Sequence, residues 1–101
     1  MHLSTMKQIS LDAAKWQSKN DVYSSFFQAV GAPDWHGRNL DALNDSIANG
    51  SINKIEVPYR LVIKNYGNVG DGARQMADDF IDLIRDIASR GCPVEIQVES
   101  T

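Results

Sequence analysis

A chain of 101 residues, 43% of them hydrophobic, is near the usual size of one domain and long enough to bury a core without metal or disulfide staples. Ten Lys and Arg against thirteen Asp and Glu leave a net charge of −3, the wrong sign for nonspecific nucleic-acid binding, which needs clustered basic residues to neutralise phosphates. A lone cysteine, Cys92, rules out an internal disulfide, the opening MHLSTMKQISL lacks the apolar stretch of a signal peptide, and no apolar run approaches membrane-spanning length. These bounds predict a single soluble domain over residues 1–101, cytoplasmic and in a reducing compartment.

The first element predicted is a short strand over Met6–Leu11, where polar and apolar residues loosely alternate. Asp12–Lys19 follows as a linker or short helical turn, with Trp16 partly covering the core. A helix begins near Asp21 with Ser18 or Asn20 as its cap. Val22, Tyr23, Phe26, Phe27 and Val30 recur at spacings of three and four and form its buried stripe. Gly31 supplies a stop and Pro33 forbids continuation.

A turn then carries Trp35, His36 and Gly37 into a second helix. Asn39 is its N-cap, and Asp41 sits in the first turn, where the free N–H groups favour negative charge. Leu40, Leu43 and Ile47 follow the helical period and are expected inward; Asp41, Asn44, Asp45 and Ala48 are expected on the other face. Asp41 and Asp45, one turn apart, repel each other, so this face is either an ordinary solvated acidic surface or one that waits for a positive partner.

Beyond Asn49-Gly50 and a connector lies the run Leu61-Val62-Ile63, which suits a strand covered on both faces. The segment from Asn65 to Gly72 contains Gly67, Gly70 and Gly72 but neither GxxxxGK[ST] nor GxGxxG, so it predicts a flexible connector rather than a phosphate loop. Asp71 is the expected cap of a long helix over Ala73–Arg90, apolar at Met76, Ala77, Phe80, Ile81, Leu83, Ile84, Ile87 and Ala88. After Gly91, Val94, Ile96 and Val98 alternate with Glu95, Gln97 and Glu99 in a half-buried last strand, and Cys92 beside it is expected buried and inert. The order β-α-α-β-α-β predicts an α/β domain with a small three-stranded parallel sheet packed with helices.

The chain lacks the signatures of catalysis. HExxH, CxxC and GxSxG are all missing. His36 near Asp34, Asp41 and Asp45 loosely imitates an acid–base or metal cluster, but no oxyanion or substrate-positioning device accompanies it. RNA stacking on Trp35 and His36 would need a basic groove, and Arg38 alone does not make one. No enzyme activity, metal, cofactor, small-molecule substrate or direct nucleic-acid contact is therefore expected. Protein binding fits better: Trp35 buries a large face with few rotatable bonds, and Asp41 and Asp45 project beside it from a rigid helix, ready to accept paired hydrogen bonds from arginines.

The segment Pro33-Asp34-Trp35-His36-Gly37-Arg38-Asn39-Leu40-Asp41-Ala42-Leu43-Asn44-Asp45 resembles the barstar family of ribonuclease inhibitors, whose pattern here is Pro, an acid, two aromatics, Gly, any residue, Asn-Leu-Asp-Ala-Leu, Trp and Asp. The acidic-faced helix ending Arg90-Gly91-Cys92 before a short terminal strand is similar as well, so the resemblance covers most of the chain. It implies a barstar-like fold and an intracellular inhibitor of a secreted or contact-delivered bacterial ribonuclease toxin. The cationic toxin domain would be bound 1:1, with RNA kept out of its cleft.

By position, the resemblance implies a partner-binding surface of Trp35, His36, Gly37, Arg38, Asn39, Asp41, Asn44 and Asp45, with Asp86 as a peripheral contact. Asp45 would be the dominant phosphate mimic and Asp41 a supporting acid. The departures are His36 for the usual second tyrosine, Asn44 for the usual tryptophan, Arg90 where the family's namesake is acidic, and a longer connector from Ile47 to Tyr59. The alternative function is a protein-interaction or regulatory module with a non-nuclease partner.

Overall fold

The computed structural model describes residues 7–32, 39–49 and 57–101. Its elements run β1 (Lys7–Asp12), α1 (Lys19–Val30), α2 (Leu40–Asn44), β2 (Tyr59–Lys64), α3 (Asp71–Ser89) and β3 (Val94–Val98). The predicted β-α-α-β-α-β order and the three-stranded parallel sheet are both present, with strands in the order β1-β2-β3. Sequence patterning left the strand order open; the register pairs Ile9 with Leu61 and Leu61 with Ile96.

That strand order has a consequence for layering. Two right-handed crossovers stepping in the same direction put every helix on one side of the sheet. The burial pattern agrees. Ile9, Leu11, Tyr59, Leu61, Ile63 and Val94 are buried on the helix side, while Gln8, Ser10, Arg60, Lys64, Glu95 and Gln97 are exposed on the other. The expectation that β2 is covered by helices on both faces is therefore corrected. Val62 is buried because it sits mid-sheet between Ser10 and Gln97, with the long stems of Arg60 and Lys64 on its own face. Arg60 pairs across to Glu95 at 3.0 Å, where register places them side by side.

Between sheet and helices, Phe80 meets the edge of Trp16 at a centroid distance of 6.3 Å and tilts against Phe26 at 5.4 Å. Trp16 is only 1% exposed, not a partial lid, because the 3-10 turn Ala13–Lys15 carries it inward and its Nε1–H donates to Ser25 Oγ at 2.8 Å. Helix α1 starts two residues before the expected point. Ser18 is its cap residue, and the Asp21 carboxylate reaches back to accept the Gln17 and Ser18 N–H groups at 2.9 and 3.0 Å. At its other end Gly31 takes the left-handed conformation (φ 70°), as the stop signal required.

The glycine-bearing segment is stitched down rather than loose. Gly67 N–H donates to the Ser100 carbonyl at 3.2 Å and Gly70 N–H to the Trp16 carbonyl at 2.8 Å. A Cβ on Gly72 would lie 2.5 Å from the Gln17 carbonyl oxygen, so close backbone approach explains that glycine. The donors that a phosphate loop would offer at Gly67 and Gly70 are spent inside the fold. Gly70, not Asp71, is the cap residue of α3, and Asp71 lies in the first helical turn.

Candidate protein-binding site

Helix α2 is five residues long and depends on its ends and its buried side. Asn39 is extended (φ −152°) and its side-chain oxygen accepts the Ala42 N–H at 2.8 Å, the predicted cap. Leu43 and Ile47 are fully buried, which fastens the segment to the core. The helix does not continue regularly. From Asp45 to Asn49 it widens into a π-helical turn, a feature often found at functional sites. Asp45 is the junction residue: its N–H still donates to the Ala42 and Asp41 carbonyls while its side chain stays exposed.

The outward face carries Asp41, Asp45 and Ala48, with Asn44 half-buried, as expected. Leu40 departs from expectation. It is 41% exposed, the exposed large apolar side chain of the described residues, although its spacing to Leu43 predicted burial. As the first residue after the cap it has no preceding turn above it, and the core ends below it.

Two grooves flank α2. One, of about 300 Å³, runs towards α1 and α3 and is lined by residues that include Tyr23, Leu40, Asp41, Met76 and Asp79. The other, of about 350 Å³, lies at the far end, between Asn44 and Ala48 on one side and Ile87, Arg90 and Cys92 on the other. Cys92 is half-buried rather than buried. Its thiol faces the Ile47 carbonyl at 3.9 Å, and burial pushes its pKa up, away from the reactive thiolate. Asp86 lies on α3 with its carboxylate engaged by Arg90 one turn on, so the basic residue at that position pairs within the helix.

The structure thus brings Asn39, Asp41, Asn44 and Asp45 together on one short unit, with Asp86 on the neighbouring long helix. Trp35, His36, Gly37 and Arg38 lie outside the described residues, as does Asp34 of the imagined acid–base cluster. Among the described residues no three His, Cys, Asp or Glu side chains converge as a cation site. Sequence reasoning missed the groove formed by Tyr23, Leu40, Met76 and Asp79, since those residues come from three helices and only the packing joins them.

The family model described as Barstar (barnase inhibitor) matches residues 6–99 of this chain. The chain is also similar to a Bacillus subtilis (strain 168) protein named "Putative ribonuclease inhibitor YrdF", with 27% identity over 81 residues, which is 80% of this chain and 85% of that protein. With a match from the first strand through the last, and a capped acidic α2 joining β1 and β2 of a three-stranded parallel sheet, this chain belongs to the barstar (barnase inhibitor) family.

Proposed function

We propose that the protein inhibits a bacterial ribonuclease toxin, secreted or contact-delivered, by pressing the 35–45 turn and helix into its active-site cleft. The observation that carries this reading is a pair of carboxylates, Asp41 and Asp45, exposed one turn apart on a segment locked by the Asn39 cap and the buried Leu43 and Ile47. Four residues of α-helix rise about 6 Å along the axis. A ribonuclease cleft must be cationic because it holds a polyanion. Two carboxylates held in that array present anionic oxygens where RNA would present phosphates, and arginine forks donate to them without reorganisation of the inhibitor. Repulsion between Asp41 and Asp45, a cost in the free protein, becomes attraction in the complex.

Family membership and the similarity to the Bacillus subtilis protein support the inhibitor role. Asn39 would act by holding the helix start, Asn44 and Arg38 as flanking contacts, and Asp86 from the rim. Binding would be 1:1 and would take place in the cytoplasm, before the toxin leaves the cell that makes it. No helix of the described residues is long and apolar enough to cross a membrane.

Capture on the immobilised chain from lysate of the source cell, followed by an RNA-cleavage assay with and without the chain, tests the proposal. A basic ribonuclease whose cleavage stops on addition of the chain is the expected result. Recovery of a non-nuclease partner alone would favour a regulatory module instead. The proper surface control is Asp71→Asn, in the exposed first turn of α3. Asp12 would be a poor control, since its carboxylate holds the Ala14 N–H at 3.0 Å and the Asn65 side chain at 2.9 Å.

A further inference from the structure

The two edges of the sheet are finished differently. On β1 the helix-side residues Ile9 and Leu11 are 7% and 4% exposed, so the helices roof that edge. On β3 Val94 is buried, while Ile96 and Val98 pack against the core and stay half-exposed. The backbone is open there as well. Glu99 N–H donates inward to the Ile63 carbonyl at 2.8 Å, and backbone direction alternates along a strand, so Ile96 and Val98 turn their N–H and C=O groups away from β2. Among the described residues no further strand pairs with that edge. Beside Val98 runs a groove of about 330 Å³ whose outer wall carries Asp82 and Arg85. This is a different flank of α3 from the one, with Met76, Asp79, Ile87 and Arg90, that borders α2. Asp82 and Arg85 are exposed, and among the described residues neither side chain has a hydrogen bond or ion pair.

We infer that β3 is the contact through which two copies of this chain associate, antiparallel about a two-fold axis at Ile96, so that their sheets join into one. The strand is its own complement. With Ile96 opposite Ile96, Val94 of each copy faces Val98 of the other, and Glu95 faces Gln97. The apolar residues meet on the helix side and cover one another. On the back each carboxylate meets an amide, Glu99 falls opposite Pro93, and no like charges oppose. The Ile96 N–H of each copy donates to the Ile96 carbonyl of the other, and the Val98 N–H donates to the Val94 carbonyl. The Val94 N–H needs no partner, since it already donates to the Cys92 carbonyl at 2.8 Å. An unrelated extended segment could satisfy the open backbone, but β3 itself also matches the apolar run and the charge pattern in register. Both signs of charge on the α3 flank, Asp82 and Arg85, allow reciprocal pairs between copies. A two-fold contact of this kind closes on itself and consumes the edge that would otherwise template open-ended pairing. The inference is independent of the inhibitor reading, since it uses none of the α2 acids.

Sedimentation equilibrium of the full chain over a concentration series, with nitrogen-15 amide shifts recorded alongside, tests the contact. The mean mass should rise from 11.2 kDa towards twice that value, and the shifts that follow it should centre on Ile96, Val98 and Arg85. Gln97 is exposed and meets Glu95 of the other copy only in the dimer, so charges of opposite sign there should act in opposite directions. Gln97→Glu should weaken association several-fold and Gln97→Lys should tighten it several-fold, with the spectrum of the dilute protein preserved. Ser10→Glu and Ser10→Lys make the same changes in net charge on the far strand and should leave association within twofold. A mass fixed at 11.2 kDa up to millimolar concentration, concentration-dependent shifts centred on β1 or α2, or equal effects of the Gln97 and Ser10 substitutions would overturn the proposal.

Discussion

Helices α2 and α3 both turn carboxylates outward, but they hold them in different ways. On the long α3, Asp78 accepts from the Tyr66 hydroxyl, Asp79 from Gln75 at 2.9 Å and Asp86 from Arg90. On the short α2, Asp41 has no hydrogen bond or ion pair to its carboxylate among the described residues. The long helix has enough turns to supply its own i,i+4 partners and enough buried surface to be stable whatever its outer face does. The short one spends its inner face on Leu43 and Ile47 and leaves the Asp41 carboxylate facing solvent. Acidity alone does not mark a binding surface, since Asp71 and Asp82 of α3 are exposed as well.

The difference can be broken from either side. The largest effect falls on the α3 frame. Phe80→Ala removes a fully buried ring that touches Trp16 and Phe26, and should cost about 3–5 kcal/mol of unfolding free energy, read as a lowered urea midpoint. The next falls on α2 and is seen in binding, not folding. Asp45→Ala should weaken inhibition of the captured ribonuclease by about 2–5 kcal/mol, a range to which barnase–barstar pairs themselves contribute, with the melting temperature little changed. Asp71→Asn should leave inhibition within twofold. A melting temperature that falls with Asp45→Ala would make that residue structural and erase the contrast.

Smaller effects sharpen it. Asn39→Ala deletes the bond to Ala42 and should cost about 1 kcal/mol. The loss should appear as faster amide exchange confined to α2, since α3 does not lean on that cap. The Tyr66–Asp78 contact makes the alkaline side informative. Burial first, then the hydrogen bond to Asp78, pushes the Tyr66 phenol from 10.0 up to about 12. The unfolded chain therefore releases that proton first. The contribution is fully present below about pH 10 and is lost as pH rises to about 12. Tyr66→Phe should flatten that limb of the stability curve, measured by denaturant titration at successive pH values, and leave ribonuclease inhibition unchanged.

The parts of this fold legible in the sequence are those where a repeat runs long enough to average out exceptions. Helix α3 shows its buried face over five turns, and the burial of Met76, Ala77, Phe80, Ile81, Ile84 and Ile87 follows it. The Val22–Val30 stripe and the stop at Gly31 are equally plain. Short elements hide more. Trp16 lies in a three-residue turn with no period to read, and its burial is decided by Ser25 and Phe80 from elsewhere. Leu40 has the spacing of a core residue and the position of an end residue, and position wins.

The widening at Asp45 also leaves no mark in DSIAN, and β2 looks doubly covered because a central strand in a narrow sheet shelters Val62 without a helix. At the candidate site, the Asn39 cap and the two aspartates could be read directly. The groove beside them could not, since it exists only where three helices meet.

With every helix on one side, the polar back of the sheet lies a full layer away from α2. Cysteines introduced at Ser10 or Gln97 would take a fluorophore or a surface tether on strands already paired in register, opposite the helices. A chain anchored there would offer the acidic face of α2 to solution, so immobilisation would not compete with capture of the proposed nuclease partner.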